Sequence, residues 1–368
     1  MTASWDAVVF LGSDWQALEH HNTRWKQVVQ HWAQRAEVRS VTVVDPPRWS
    51  LGAALRATSL VENQTSWLLG VRSLRVQMPL GDAPGRSDRL GWSWVGRQLR
   101  QRTSTQDGRA LVVVATPLAV RLSLFVDADQ RAFDAVDDWR DFPPERGRLR
   151  RVVDGYECAG RHIRVSTTVS AALRVRMRQF GLDAVVVENG APDWTASSIA
   201  GELPPGLPEG PFAVYVGNID ERLDLGLVSR LTSSVPELPV VMAGRAAPEL
   251  GAALSRAGVH LLGQVPPAAV PGLLSKARVG LLPHRRSGLS LSQSSMKVYE
   301  YLAAGLPVVS TLPHAAEAVQ VAVDEDAFVA EVRRALRRPR TAPGDVRRWS
   351  RVSDELWSAY TGSSASAL

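Results

Sequence analysis

A single cysteine, Cys158, occurs in 368 residues. An internal disulfide is therefore excluded, and so is any zinc site built on paired thiolates. Lysine is almost as scarce. Only Lys26, Lys276 and Lys297 interrupt an otherwise all-arginine set of 43 basic residues. No run of about 20 apolar residues appears, which argues against a membrane-spanning helix. No secretory signal is read either, so the expected compartment is the cytoplasm. The Gly-x-x-x-x-Gly-Lys loop and the Gly-x-Ser-x-Gly elbow are both missing, and P-loop, kinase and serine-hydrolase chemistry lose their signatures with them.

What is present points to a globular protein of two domains. At 45% apolar residues the chain can bury two cores on the usual prior of roughly 150 residues per domain. The formal net charge of +6 would suit nucleic acid, but the basic residues are interspersed with 37 acidic ones. Scattered charge of both signs reads as a solvated surface, so nucleic acid is not expected as a partner.

Short apolar runs alternate with amphipathic stretches throughout, the pattern of an α/β protein with parallel sheets. In the first half, strands are expected at 7–11, 38–44, 67–71, 111–115, 162–166 and 184–187, with helices such as 24–36 and 168–180 between them. A stretch rich in Pro and Gly, 191–210, reads as a linker. It divides an N-terminal Rossmann-like domain, 1–190, from a C-terminal one, 211–344. In the second domain strands are expected at 212–216, 239–243, 259–262, 279–282 and 306–310. A final amphipathic stretch, 345–361, is expected to return to the first domain, with 362–368 as a tail. Ligands of such sheets bind at the carboxyl ends of the strands, where the loops carrying Gly217, Asn218, Gly244 and Val265 fall.

The densest signal spans Ser295 to Ser310. Hydroxyl residues lead into a helix-forming segment, Gly305 stops it, and a β-branched strand follows. Free amides and the positive end of the dipole at a helix start make an anion site, and Lys297 lies in the first turn. Ser294 and Ser295 would share that site. Glu300 stands at i+3 from Lys297, on nearly the same face, where a carboxylate can accept from ribose hydroxyls.

Together these segments resemble nucleotide-sugar glycosyltransferases of the GT-B fold, with two facing Rossmann-like domains and a cleft between them. Glu300 to Val309 is similar to the Glu-x-x-x-x-Gly-x-Pro-Val-Val signature of that family, whose Glu holds the donor ribose. The loop Gly217 to Asp224, the stretches Val8 to Asp14 and Val43 to Pro47, the run Val136 to Trp139 and the pair Asn189 and Gly190 resemble a subgroup that includes teichuronic-acid-type bacterial transferases. The resemblance implies Arg222 as a cation facing the donor diphosphate. It also implies a retaining outcome and a bacterial role in cell-surface polysaccharide biosynthesis. In many retaining members a second Glu precedes the ribose Glu, and here Ser292 stands at that position. Ser292 itself and Gln293 beside it are the candidates for hydrogen bonds to the donor sugar.

Glycosyl transfer requires stabilising negative charge on a leaving diphosphate. A cationic clamp of Arg222 and Lys297 would do this without an obligatory metal or cofactor. Asp127 and Asp129 form an Asp-x-Asp in the other domain and read as loop residues. The base for an acceptor hydroxyl is sought among Asp14, His20, His21, Asp137 and Asp138. The expected substrates are a UDP-, GDP- or dTDP-sugar and a glycan, lipid-linked or small-molecule acceptor. The stretch Gly91 to Arg102, mixing Trp92, Trp94, Val95 and Leu99 with arginines, allows for peripheral contact with the inner face of the plasma membrane. Two rival readings stand beside transfer: a nucleotide-sugar epimerase on the same fold, and a noncatalytic nucleotide- or glycan-binding relative.

Overall fold

The computed structural model describes residues 4–20, 22–46, 48–49, 60–64, 68, 70–78, 86–103, 108–142, 148–194, 203–314, 316, 318–340 and 346–362. The chain divides into two compact units, Met1–Glu188 with Ser350–Leu368, and Asn189–Trp349. Much of the expected linker, residues 195–202, lies outside the described residues.

The first unit is built on β1 (Trp5–Phe10), β2 (Val38–Val44), β3 (Arg48–Trp49), β4 (Leu60–Gln64), β5 (Val71–Met78), β6 (Arg109–Val114), β7 (Gln130–Ala135), β8 (Val165–Thr168) and β9 (Val185–Val186). They form one sheet in the order β3-β5-β2-β1-β6-β7-β8-β9, with β4 running antiparallel on β5 and every other pairing parallel. β1 is buried along its whole length, as a central parallel strand covered on both faces must be. Thr23 and Ser170 cap the helices Arg24–Trp32 and Ala171–Arg178 by accepting from Lys26 N and Leu173 N, which satisfies amides with no partner inside the helix.

Several expectations for this unit need correction. β7 was not foreseen, because its sequence carries Arg131 and Asp134 where a buried parallel strand ordinarily carries only apolar residues. Asp134 is buried because it receives Arg24 Nε at 2.8 Å and the Thr167 hydroxyl at 2.6 Å. The expected strand 67–71 is in fact β5, which begins at Val71, and 162–166 becomes Val165–Thr168 because His162 still belongs to the helix Arg148–His162. The unit is completed by the helix Trp349–Thr361. Its Trp357 meets Trp5 and Trp32 edge-on at 6.0 and 5.2 Å, and Tyr360 reaches Thr167 Oγ1 at 2.5 Å.

The second unit has six strands: β10 (Ala213–Val216), β11 (Val240–Ala243), β12 (Val259–Gly263), β13 (Val279–Leu282), β14 (Val308–Ser310) and β15 (Val319–Val321). All pairings are parallel, in the order β12-β11-β10-β13-β14-β15. The chain leaves β10 toward one edge and resumes from β13 toward the other. The strand order therefore reverses between β10 and β13, and the carboxyl ends of these strands are the place where doubly wound sheets hold ligands.

Candidate donor site

The switch point is framed by backbone before any side chain enters it. Gly217 N donates to Ala243 O at 2.8 Å, and Gly244 N to Gly263 O at 2.7 Å, so the loops after β10, β11 and β12 are laced together. Gly244 has φ +156° and packs so closely that a Cβ would lie 1.9 Å from Gly217 O. No other residue fits there. On the far side, Asp224 N donates to Pro283 O and Arg285 N to Arg222 O, which ties the loop after β10 to the loop after β13.

The helix Met296–Ala303 carries the next layer. Leu306 N donates to Tyr301 O and Gly305 N to Leu302 O, with Gly305 at φ +70°, a Schellman stop that turns the chain directly into β14. Tyr301 is buried and accepts from Val216 N at 2.9 Å. Gly280 leaves room for the same ring, since a Cβ there would fall 2.4 Å from it. These contacts pin the helix over β10 and β13.

Lys297 follows from that placement. Its Nζ donates to Tyr215 Oη at 2.7 Å and lies 4.0 Å from the Tyr215 ring centroid. A Cβ on Gly217 would sit 3.2 Å from the same nitrogen, so the lysine reaches the glycine loop itself. Burial, reinforced by the Arg222 guanidinium, brings its pKa from 10.5 down to about 7. Arg222 is gripped by Asp220 through Nε at 2.9 Å and Nη2 at 2.6 Å, and its Nη1 donates to Gln293 Oε1 at 3.1 Å. Although burial alone would raise the Asp220 carboxyl, that arginine holds it below its usual range. Glu300 stands one turn after Lys297, half-buried, and its charge acts on the lysine.

The serines differ from one another. Ser295 is the N-cap of the helix, with no side-chain capping bond. Ser294 accepts from Asn189 N at 3.4 Å and lies 3.3 Å from Tyr299 Oη. Ser292 is buried and donates to Leu289 O at 3.0 Å. That hydroxyl closes the short helix Gly288–Ser292. Val265 packs half-buried against the β10 to β14 core, and Asn218 O accepts from Tyr215 Oη at 2.8 Å.

In the first unit two of the proposed bases, Asp138 and Asp14, are held in ion pairs. Asp138 is fully buried, caps the turn Trp139–Asp141 and receives Arg140 Nη2 and Arg176 Nε, both at 2.6 Å. Burial pushes its carboxyl up, but the two arginines prevail and hold it below the usual range, so it anchors the turn as a charged group. Asp14 accepts from Gln16 N and pairs with Arg75 at 3.4 Å. His21 lies outside the described residues, as does the His20 side chain. Asp129 accepts from Ala110 N, and Asp127 pairs with Arg100, both in loop roles. Among the described residues no group of three or more His, Cys, Asp or Glu gathers that could hold a metal.

The proposed membrane stretch lies in the helix Arg86–Thr103. Val95 and Leu99 are core residues, and a Cβ on Gly96 would strike Phe125 at 2.2 Å. That side of the helix is taken up by protein. Among the described residues no helix is long and apolar enough to cross a membrane.

Tyr215, His284 and Asp220 were not foreseen as parts of the site. His284 is buried, with its Nε2 3.1 Å from Tyr215 Oη. Burial first, then Lys297 and Arg222, pushes its pKa down to about 3. The available signal was position: Tyr215 is the penultimate residue of β10, and His284 follows β13 by two residues.

Residues 211–338 match the family described as Glycosyl transferases group 1. No curated protein matches the chain. Solved structures share the fold along nearly the full length. The catalytic domain of starch synthase IV from Arabidopsis thaliana, bound to ADP and acarbose, superposes with TM-score 0.59 at 11% identity, covering 99% of this chain and 97% of that one. Anabaena HepE in complex with UDP and glucose gives 0.58 at 14% identity over 96% and 95%. UDP-GlcNAc 2-epimerase from Neisseria meningitidis, bound to UDP-GlcNAc, gives 0.51 at 10% identity over 96% and 99%. Residues 211–338, which hold the switch point, thus match the group 1 glycosyl transferase family model, in a chain whose two parallel-sheet α/β units share the fold of GT-B structures.

Proposed function

We propose that the protein moves a glycosyl group from a nucleoside-diphosphate sugar to a hydroxyl acceptor, with retention at the anomeric carbon. The observation that carries this reading is the convergence of Lys297, Arg222 and the start of the helix Met296–Ala303 on the switch point of the second unit. In the step, the bond between the anomeric carbon and the diphosphate oxygen breaks and its electron pair stays on the diphosphate. Lys297 and Arg222 offset that growing charge. The acceptor oxygen bonds to the anomeric carbon on the same face, and its proton passes to the departing diphosphate oxygen. Asp138, held charged by two arginines, is not needed as a base. Glu300 accepts from the ribose hydroxyls.

Thermal melts with UDP, GDP, ADP, CMP and dTDP test the donor side, since a ligand at 100 times its dissociation constant adds about 2.7 kcal/mol. One diphosphate should stabilise the protein and thereby name the base. Glu300→Ala should then weaken that ligand by about 1 to 3 kcal/mol. Product analysis with the donor sugar alone separates the rivals: epimerised donor without acceptor would replace transfer with isomerisation. Tight donor binding without turnover on a broad acceptor panel would leave a binding protein.

A further inference from the structure

Lys297 is held by a group that carries no charge. Its Nζ donates to Tyr215 Oη at 2.7 Å, while the phenol proton is donated to Asn218 O at 2.8 Å. The phenol oxygen has one more lone pair, and His284 Nε2 lies 3.1 Å from it. With the phenol proton committed to Asn218, this contact requires the Nε2–H tautomer of a neutral imidazole. Tyr215 is fully buried, burial lifts its phenol well above the ordinary range, and His284 titrates only near 3. Neither group therefore becomes an anion or a cation at neutral pH.

The charged groups acting on this lysine are Arg222, Asp220 and Glu300. Asp220 is engaged by Arg222 through both carboxylate oxygens, and Glu300 sits a helical turn away. A carboxylate in place of the phenol would fix the ammonium more tightly, but it would also neutralise the charge an arriving anion needs. A neutral acceptor orients the ammonium and leaves its charge available.

We propose that Tyr215 is a positioning residue for Lys297: its phenol oxygen, aimed by Asn218 O and His284, fixes the lysine nitrogen against Gly217, where the donor diphosphate arrives. The ligand named here rests on the donor-site reading above, whereas the geometry does not.

Three lysines in the whole chain make a direct test practical. Lysine-selective 13C and 15N labelling gives three side-chain signals, and Lys297→Met identifies the one that matters. Tyr215→Phe keeps the ring and removes one acceptor for the ammonium. Its expected result is a fall of about one unit in the Lys297 titration midpoint, with Lys26 and Lys276 unmoved. It should also weaken binding of the stabilising nucleoside diphosphate about tenfold, leave the matching nucleoside unchanged, and add nothing in a Lys297→Met background. An unmoved midpoint, or an equal loss in that background, overturns the proposal. Should Tyr215→Phe not fold, the wild-type protein still decides: ammonium exchange at Lys297 should be slower than at Lys26 and Lys276, and equal rates refute the assignment. If no diphosphate binds the wild type, the donor-site reading falls while the titration still judges Tyr215.

Discussion

Replacing Lys297 by methionine should make the resting protein more stable and its ligand weaker, two effects of opposite sign from one side chain. In the folded state the ammonium titrates near 7, against 10.5 in an exposed chain. At pH 7.5 the unfolded state therefore binds more protons than the folded one, and the group opposes folding. The shift corresponds to roughly 4 kcal/mol if realised in full. Partial exposure and the lost bond to Tyr215 reduce the net gain in Lys297→Met to about 1 to 2 kcal/mol. The sign follows from the depressed pKa: destabilisation is full below about pH 7 and fades as pH climbs to 10.5. Chemical denaturation of the wild type and Lys297→Met at pH 7 and pH 10 measures it, and the stability difference should shrink at the higher pH. Calorimetry should meanwhile show diphosphate affinity reduced at least tenfold in the variant, with proton uptake on binding at pH 8.5 in the wild type alone. A variant less stable at both pH values, with no proton uptake in the wild type, would refute a half-charged buried lysine waiting for an anion.

Gly244→Ala places a Cβ 1.9 Å from Gly217 O at a backbone angle that side chains avoid; the loops should separate at a cost of about 2 to 4 kcal/mol, read as lost diphosphate binding and an earlier melting transition. Asp134→Ala leaves the buried Arg24 guanidinium without its carboxylate and should destabilise the first unit by about 3 to 5 kcal/mol, while a fluorescence melt of Asp134→Asn should show a smaller loss. Asp138→Asn should lower stability by roughly 1 to 3 kcal/mol through its two arginines yet keep turnover within a few fold; a loss of a thousandfold at unchanged stability would restore it as a base.

The second unit was more legible than the first. Runs such as Val240–Ala243 and Val279–Leu282 are uniformly apolar and end at Gly or Pro, so their strands and loops follow from composition. β7 hid because its buried polarity is satisfied from a distance: Asp134 makes sense only once Arg24 and Thr167 are folded beside it. The candidate site shows the same limit. Lys297 and Glu300 share a helix face visible in the spacing, whereas Tyr215 reaches the lysine from β10, 82 residues away, and His284 reaches Tyr215 from beyond β13. Ser292 shows another limit: spacing marks its position, but only the fold shows its hydroxyl buried and bonded to its own helix.

The contact of Tyr360 with Thr167 sets an order for biogenesis. Ser350–Leu368 belongs to the same unit as β1 but is synthesised only after the whole of Asn189–Trp349. While the ribosome makes that intervening segment, Trp5, Trp32 and the Arg24–Asp134 pair lack the helix that covers them. The second unit is continuous and can close as soon as it emerges. Vectorial synthesis ordinarily lets N-terminal domains mature first; here the first unit to be made is the last to be finished, and its tryptophan-rich flank is the surface a holdase should find on nascent chains.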